Sequence, residues 1–115
     1  MQLEARKLLT DVLTCCDAIR QYTTGKTFSD YQRERLLRSS TEREFSIIGE
    51  ALSRLSSQAP EVAARISSLP QIIAFRNRII HGYDAVDEVI VWQTVLDDLP
   101  LLTTEVKAAL AEPEH

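Results

Sequence analysis

The apolar residues of this 115-residue chain recur mostly at spacings of three and four. The alternation of period two that is typical of half-exposed strands is scarce, so the pattern predicts helices. A first apolar stripe begins at Leu3 and ends at Ile19, and Gly25 follows it as a helix stop. We therefore expect a first helix from about Gln2 to Tyr22.

Two capping boxes are predicted in the middle of the chain. Ser29 is followed three residues later by Gln32, and Thr41 by Glu44, so each hydroxyl residue is a candidate N-cap. We expect a short helix after Ser29 and then a long helix that ends near Gln58. Its buried side is marked by apolar residues at helical spacing: Leu36, Leu37, Phe45, Ile48, Leu52 and Leu55.

Two prolines and an aspartate organise the second half. One or two turns are expected over residues 61–66, and Pro70 suits the first turn of a helix that ends near His81. Asp87 can cap a last helical segment, which continues over residues 101–110. Pro100 should kink or restart that segment because proline has no N–H to donate. The expected core face consists of Val89, Trp92, Val95, Leu96 and Leu99.

These elements predict one all-α domain over residues 1–115, an antiparallel up-and-down bundle of four to five helices. The length and an apolar content of 44% are sufficient for a single core. No stretch reaches the roughly 18 apolar residues that span a bilayer, and the N-terminus lacks the apolar region of a signal peptide. Cys15 and Cys16 are adjacent and could bond each other only with strain. We therefore expect reduced core thiols in a soluble cytoplasmic protein.

The net charge of −4 at pH 7 argues against a protein that coats nucleic acid non-specifically, since such proteins need a broad basic surface. A local basic site remains open, because five arginines lie within a short span: Arg33, Arg35, Arg38, Arg43 and Arg54. Glutamates interleave with them, at Glu34, Glu42, Glu44 and Glu50. The simpler interpretation is a solvated helix face with charge pairs.

Candidate chemistry is concentrated in the octapeptide from Arg76 to Tyr83, Arg-Asn-Arg-Ile-Ile-His-Gly-Tyr. Arginine binds a phosphodiester bidentately, and histidine transfers protons near neutral pH. Together they suit RNA cleavage without a metal, in which the ribose 2′-hydroxyl attacks the adjacent phosphorus. No cluster of residues has metal-ligand spacing, and no cofactor is expected. A lone histidine at a helix end is, however, more often a charge on the helix dipole or a capping group.

Helical geometry limits what one octapeptide can do alone. Asn77 and His81 share a face, whereas Arg76 lies about 140° around the helix axis from His81. Cleavage benefits from both a base and an acid, and the chain has only one internal histidine, since His115 is in the tail. A symmetric dimer would bring two His81 side chains to one cleft.

The spacing of Arg76, His81 and Tyr83 resembles the R-x4-H-x-Y motif of HepT-like proteins in the HEPN superfamily. The resemblance covers nearly the whole chain, because three further segments fall in the family's order and spacing: residues 22–28, 47–51 and 91–95. One departure is the segment 67–71, Ser-Ser-Leu-Pro-Gln, which replaces a Pro-Trp-containing approach common in the family.

The resemblance implies a homodimeric helical-bundle ribonuclease, with Arg76 and His81 of each subunit lining a shared cleft. It implies the toxin of a type VII toxin–antitoxin system, whose substrate RNA includes tRNA in some members. The implied partner is a minimal nucleotidyltransferase (MNT) antitoxin that transfers AMP from ATP to the motif tyrosine, here Tyr83. AMPylation would add bulk and a negative phosphate near Arg76 and so block RNA.

Two supporting residues are expected, Asn77 within the motif and Glu50 beside Gly49. Gly49 costs about 1 kcal/mol relative to alanine inside a helix, so we expect it to allow the motif helix to approach closely. Glu50 then either pairs with an arginine near the cleft or is simply exposed.

The alternative function is a non-catalytic HEPN subunit that binds a nucleotide or scaffolds a nucleotidyltransferase. The acidic net charge favours that alternative, and the intact motif favours the ribonuclease.

Overall fold

Seven α-helices and one π-helical turn make up the regular structure of the part of the chain that the computed structural model describes. This part comprises residues 1–81 and 87–112, without the side chains of Ile80 and His81. The helices are α1 (Leu3–Thr23), α2 (Phe28–Arg33), α3 (Arg35–Gln58), α4 (Pro60–Ala63), α5 (Leu69–His81), α6 (Glu88–Gln93) and α7 (Leu99–Leu110). The π-helical turn, Thr94–Asp98, joins α6 to α7. The predicted all-α bundle is confirmed.

The long helix α3 lies at the centre of the bundle, between α1 and α5, and α1 also packs against α7. Its fully buried apolar residues follow the predicted stripe: Phe45, Ile48, Leu52 and Leu55. Leu36 is wrong as a core residue, because it is 81% exposed while Leu37 beside it is buried. Neighbours on a helix differ by about 100° in direction, so only one of the two can face the core.

The predicted caps of α2 and α3 are wrong. The N-cap of α2 is Thr27 rather than Ser29, with Asp30 completing a capping box: each backbone N–H bonds the other side chain, at 2.9 and 3.1 Å. A carboxylate at the third position suits the positive end of the helix better than the amide of Gln32. Helix α3 is continuous from Arg35, so Thr41 lies in its interior and is not an N-cap; its side chain is fully buried.

The predicted signals of the second half are largely confirmed. Pro70 lies in the first turn of α5, and Asp87 caps α6 by accepting hydrogen bonds from the N–H groups of Val89 and Ile90. The π-helical turn ends at Asp98, and the chain restarts as α7 at Leu99, with Pro100, which has no N–H to donate, in the first turn of α7. Val89 and Leu96 are wrong as core residues, because they are 47% and 58% exposed.

The two adjacent cysteines lie in the core, as expected, on the buried side of α1, and both are free thiols. Among the described helices, none combines the length and the apolar content that crossing a bilayer requires.

Candidate functional site

Helix α5 carries the described part of the octapeptide, and different contacts position its start and its middle. Before its first turn, the Ser67 N–H and hydroxyl donate to the carboxylate of Glu105 on α7, at 3.1 and 2.9 Å. Farther along, Ile72 and Phe75 are buried, and the ring of Phe75 packs edge-on against Phe45 of α3 at 5.1 Å between centroids. These contacts fix the rotation of α5 so that Arg76 lies against α3.

Arg76 packs directly over Gly49 of α3. A Cβ atom placed on Gly49 would overlap the Cβ and Cγ atoms of Arg76 and would lie 3.2 Å from its Nε atom. The absence of a side chain at position 49 therefore lets the stem of Arg76 rest on the α3 backbone. The expected close approach of the motif helix at Gly49 is confirmed.

The guanidinium group of Arg76 is largely buried and incompletely paired. Its side chain is only 15% exposed, and its Nη2 atom lies 3.4 Å from Oε2 of Glu50. The Nε atom is buried and has no hydrogen-bond partner among the described residues. A desolvated cation with an unsatisfied N–H is costly, so holding Arg76 in this position lowers stability.

Glu50 contacts two arginines at once. Its Oε2 atom faces Arg76, and its Oε1 atom accepts a hydrogen bond of 3.2 Å from Nε of Arg54, one turn farther along α3. The Glu50 side chain is 53% exposed, so it is both paired and exposed, although the sequence presented these as alternatives. We call Arg54, Glu50 and Arg76 the arginine–glutamate cluster.

Sequence reasoning missed the role of Arg54 in this cluster. The signal was present, because Glu50 and Arg54 have the i,i+4 spacing at which opposite charges meet on a helix. What the spacing could not show is that the same carboxylate also contacts α5, since that depends on how the two helices pack.

The structure shows less of the remaining candidate residues. Asn77 is exposed on α5, one turn before His81, which ends the helix. The side chain of His81 and the whole of Tyr83 lie outside the described residues, so the predicted roles of both residues stay predictions. Within the residues that the structure describes, no group of three or more His, Cys, Asp or Glu side chains could hold a metal ion.

Comparison with known proteins points to one family. The sequence model described as "Ribonuclease HepT-like" matches residues 12–109. A relative from Caldanaerobacter subterraneus is 30% identical over 105 residues, which cover 91% of this chain and 93% of the relative. A relative from Methanocaldococcus jannaschii is 24% identical over 106 residues, 90% of this chain and 94% of its own length. The names of these two mark their RNase activity as unproven.

A third relative, from Thermococcus cleftensis, is named "Probable ribonuclease HepT". It is 26% identical over 106 residues, which cover 89% of this chain and 92% of the relative. No solved structure matches the chain.

Proposed function

Because this chain belongs to the HepT-like ribonuclease family, we propose that it is a metal-independent endoribonuclease in which Arg76 binds RNA phosphate and His81 transfers protons. The observation that carries the proposal is the buried, incompletely paired guanidinium of Arg76 over Gly49. This arginine begins the motif that the sequence singled out, and the relatives named as RNases support the same activity.

The physical state of Arg76 suits a phosphate better than it suits a structural ion pair. A structural pair at this burial would normally satisfy most of the guanidinium N–H groups. Among the described residues, the ion pair that Arg76 makes is to an exposed carboxylate at 3.4 Å, and its Nε–H has no acceptor there. A phosphodiester presents two unesterified oxygens, which match the fork of guanidinium donors.

The proposed reaction is transesterification at phosphorus. The 2′-oxygen loses its proton and forms a bond to phosphorus, while the bond to the 5′-oxygen breaks and that oxygen takes up a proton. The products are a 2′,3′-cyclic phosphate and a 5′-hydroxyl end. In the proposed homodimer, one His81 acts as the base and the His81 of the partner subunit as the acid. Arg76 stabilises the charge that develops on the phosphate, and Asn77 supports the site on the same face as His81.

We further propose that this activity belongs to the toxin of a toxin–antitoxin pair acting in the cytoplasm, with tRNA among the candidate substrates. The proposed antitoxin is an MNT-type nucleotidyltransferase that adds AMP to Tyr83. The adenylyl phosphate would carry negative charge to the end of α5, where RNA phosphate must bind, so repulsion and occlusion would both lower activity.

The test is digestion of total RNA in the presence of a chelator, by the wild-type protein and by Arg76→Ala and His81→Ala. Each substitution should lower the rate by a factor on the order of 100 or more. Arg78→Ala is the matched control, because Arg78 is an exposed arginine of the same helix, and its rate should stay near that of the wild type. Undiminished cleavage by both motif variants would refute the assignment.

The second candidate function is a non-catalytic subunit that binds a nucleotide or scaffolds a nucleotidyltransferase. The net charge of −4 favours it, because an acidic protein attracts RNA weakly. It predicts a stable complex with the nucleotidyltransferase and no cleavage of RNA by the purified wild-type protein. The chelator digest therefore distinguishes the two candidates directly.

A further inference from the structure

The arginine–glutamate cluster contains one carboxylate between two guanidinium groups, and we propose that Glu50 is a displaceable counter-ion for Arg76. When an RNA phosphate binds Arg76, the carboxylate of Glu50 leaves it and stays paired with Arg54. Arg54 is then a positioning residue that acts through Glu50. This inference rests on the proposed function, because it takes Arg76 to be the phosphate-binding residue.

The two contacts of Glu50 use different carboxylate oxygens. An RNA phosphate can therefore replace Glu50 at Arg76 while Glu50 stays bonded to Arg54, and we call this replacement the exchange. Oε1 faces Nε of Arg54 at 3.2 Å, and Oε2 faces Nη2 of Arg76 at 3.4 Å. Rotation of the carboxylate can break the contact to Arg76 while the hydrogen bond to Arg54 persists. A carboxylate paired only with Arg76 would instead have to lose its sole partner.

The exposure of the three side chains shows which of them can move. Arg76 is 15% exposed and is held against the α3 backbone at Gly49, whereas Glu50 and Arg54 are 53% and 61% exposed. Exposed long side chains change rotamer readily, and their ion pairs are weak. An arriving phosphate therefore meets a fixed arginine and a mobile carboxylate, so Glu50 is the group that yields.

The surroundings of Arg54 favour this role over direct contact with RNA. Glu50 and Arg54 line a surface groove of about 380 Å³ between α1 and α3. Asp11 of α1 lines the same groove. A second carboxylate in this groove makes the groove unfavourable for an RNA phosphate, but it leaves Arg54 able to hold the side chain of Glu50.

The test is a double-mutant cycle on RNA binding with Glu50→Gln, Arg54→Ala and both together. The probe is the RNA that the wild-type protein cleaves fastest in a total-RNA digest, synthesised with a 2′-methoxy group that prevents attack. Glu50→Gln removes the competing charge but keeps the side-chain shape, so the RNA should bind about threefold more tightly, the scale of an exposed ion pair. Arg54→Ala should weaken binding by about threefold, the scale of an exposed ion pair. In the Glu50→Gln background, Arg54→Ala should have no effect.

A matched control is the exposed pair Asp17 and Arg20 on α1, whose charged atoms are 3.5 Å apart. Asp17→Asn and Arg20→Ala should leave RNA binding unchanged. Equal loss from Arg54→Ala in both backgrounds would mean that Arg54 contacts RNA itself, and weaker binding by Glu50→Gln would mean that Glu50 holds Arg76 in place. Either result overturns the exchange while leaving the ribonuclease intact. Absence of cleavage by the wild-type protein would instead overturn the proposed function and the exchange together.

Discussion

The stem of Arg76 occupies the space that a side chain at Gly49 would need. A Cβ atom at position 49 would overlap the Cβ and Cγ atoms of Arg76, which belong to the rigid base of that side chain. The contact explains why a glycine lies in the middle of α3, where alanine would favour the helix by about 1 kcal/mol. It also couples the packing of two helices to the placement of the proposed phosphate-binding group.

Gly49→Ala should therefore damage both stability and activity. Forcing an extra methyl group into a packed interface costs about 1–3 kcal/mol. The overlap with both Cβ and Cγ of Arg76 puts this case at the upper end of that range, above the gain of about 1 kcal/mol in helix propensity. We expect a net loss of about 1 kcal/mol or more in the free energy of unfolding, measured by urea denaturation. RNA cleavage should fall further than the unfolded fraction explains, because Arg76 must move away from α3.

The control for this substitution is Ser56→Ala, an exposed position of the same helix. It should change the free energy of unfolding by no more than about 0.5 kcal/mol. Wild-type stability and activity in Gly49→Ala would show that α5 can shift without consequence, and that the close contact has no functional role.

The helices could be predicted from the sequence because their apolar stripes are long and their ends carry strong signals. Individual buried residues and helix caps were harder to predict, because neighbouring residues of similar type are equally suited to the same position. Leu37 is buried instead of Leu36, and Thr27 caps α2 instead of Ser29. Which leucine is buried depends on the rotation of the helix about its axis, and which residue caps α2 depends on the partner three residues later. Periodicity reveals neither.

The candidate site was predictable only in part. The helix that carries Arg76 could be predicted from its apolar periodicity. The close packing at Gly49 could be predicted because glycine is unfavourable inside a helix and therefore needs a packing reason. The contact of Glu50 with two arginines could not, because Glu50 and Arg76 lie far apart in sequence and meet through the packing of α3 on α5. The functional roles of all five candidate residues stay predictions: Glu50, Arg76, Asn77, His81 and Tyr83.

Lysine should not replace arginine at position 76. Its ammonium group keeps the charge but cannot present the planar fork that matches two phosphate oxygens. We expect Arg76→Lys to lower kcat/KM for RNA cleavage by at least about tenfold, since charge-assisted hydrogen bonds are each worth about 1.5–3 kcal/mol. The same change at the exposed Arg78 should have little effect. Equal activity of the two variants would show that position 76 needs only a positive charge.

The thiols of Cys15 and Cys16 should be unreactive in the folded protein. Burial, with a smaller contribution from the neighbouring carboxylate of Glu44, raises the pKa of Cys15 to about 12. Burial also raises the pKa of Cys16 to about 11, against an ordinary value of 9.0. At about pH 8 both groups are protonated and therefore poor nucleophiles. Iodoacetamide should alkylate them slowly in the native protein and rapidly in urea, and fast native labelling would contradict their burial.

The same thiols should make stability depend on alkaline pH. Their pKa values are raised in the folded state, so the unfolded chain releases protons first as the pH rises through 9. The contribution of the two protonated thiols to the free energy of unfolding is complete below pH 9 and is lost progressively toward pH 11 to 12. Urea denaturation at about pH 8 and about pH 10 should show a smaller loss of unfolding free energy in Cys16→Ala than in the wild type. An identical loss in both would exclude Cys16 as a source of the pH dependence.

We predict that Tyr83 is the residue that an MNT-type partner modifies. Incubation with the partner and ATP should increase the mass of the wild-type protein by one AMP residue per modified site and release pyrophosphate. Tyr83→Phe should show no increase, because phenylalanine has no hydroxyl to attack the α-phosphorus. Tyr22→Phe is the matched control, since the hydroxyl of Tyr22 is exposed and bonded to Glu44 at 3.0 Å. Loss of cleavage should follow the extent of modification, because the added phosphate repels RNA. A mass increase that persists in Tyr83→Phe would place the modification elsewhere.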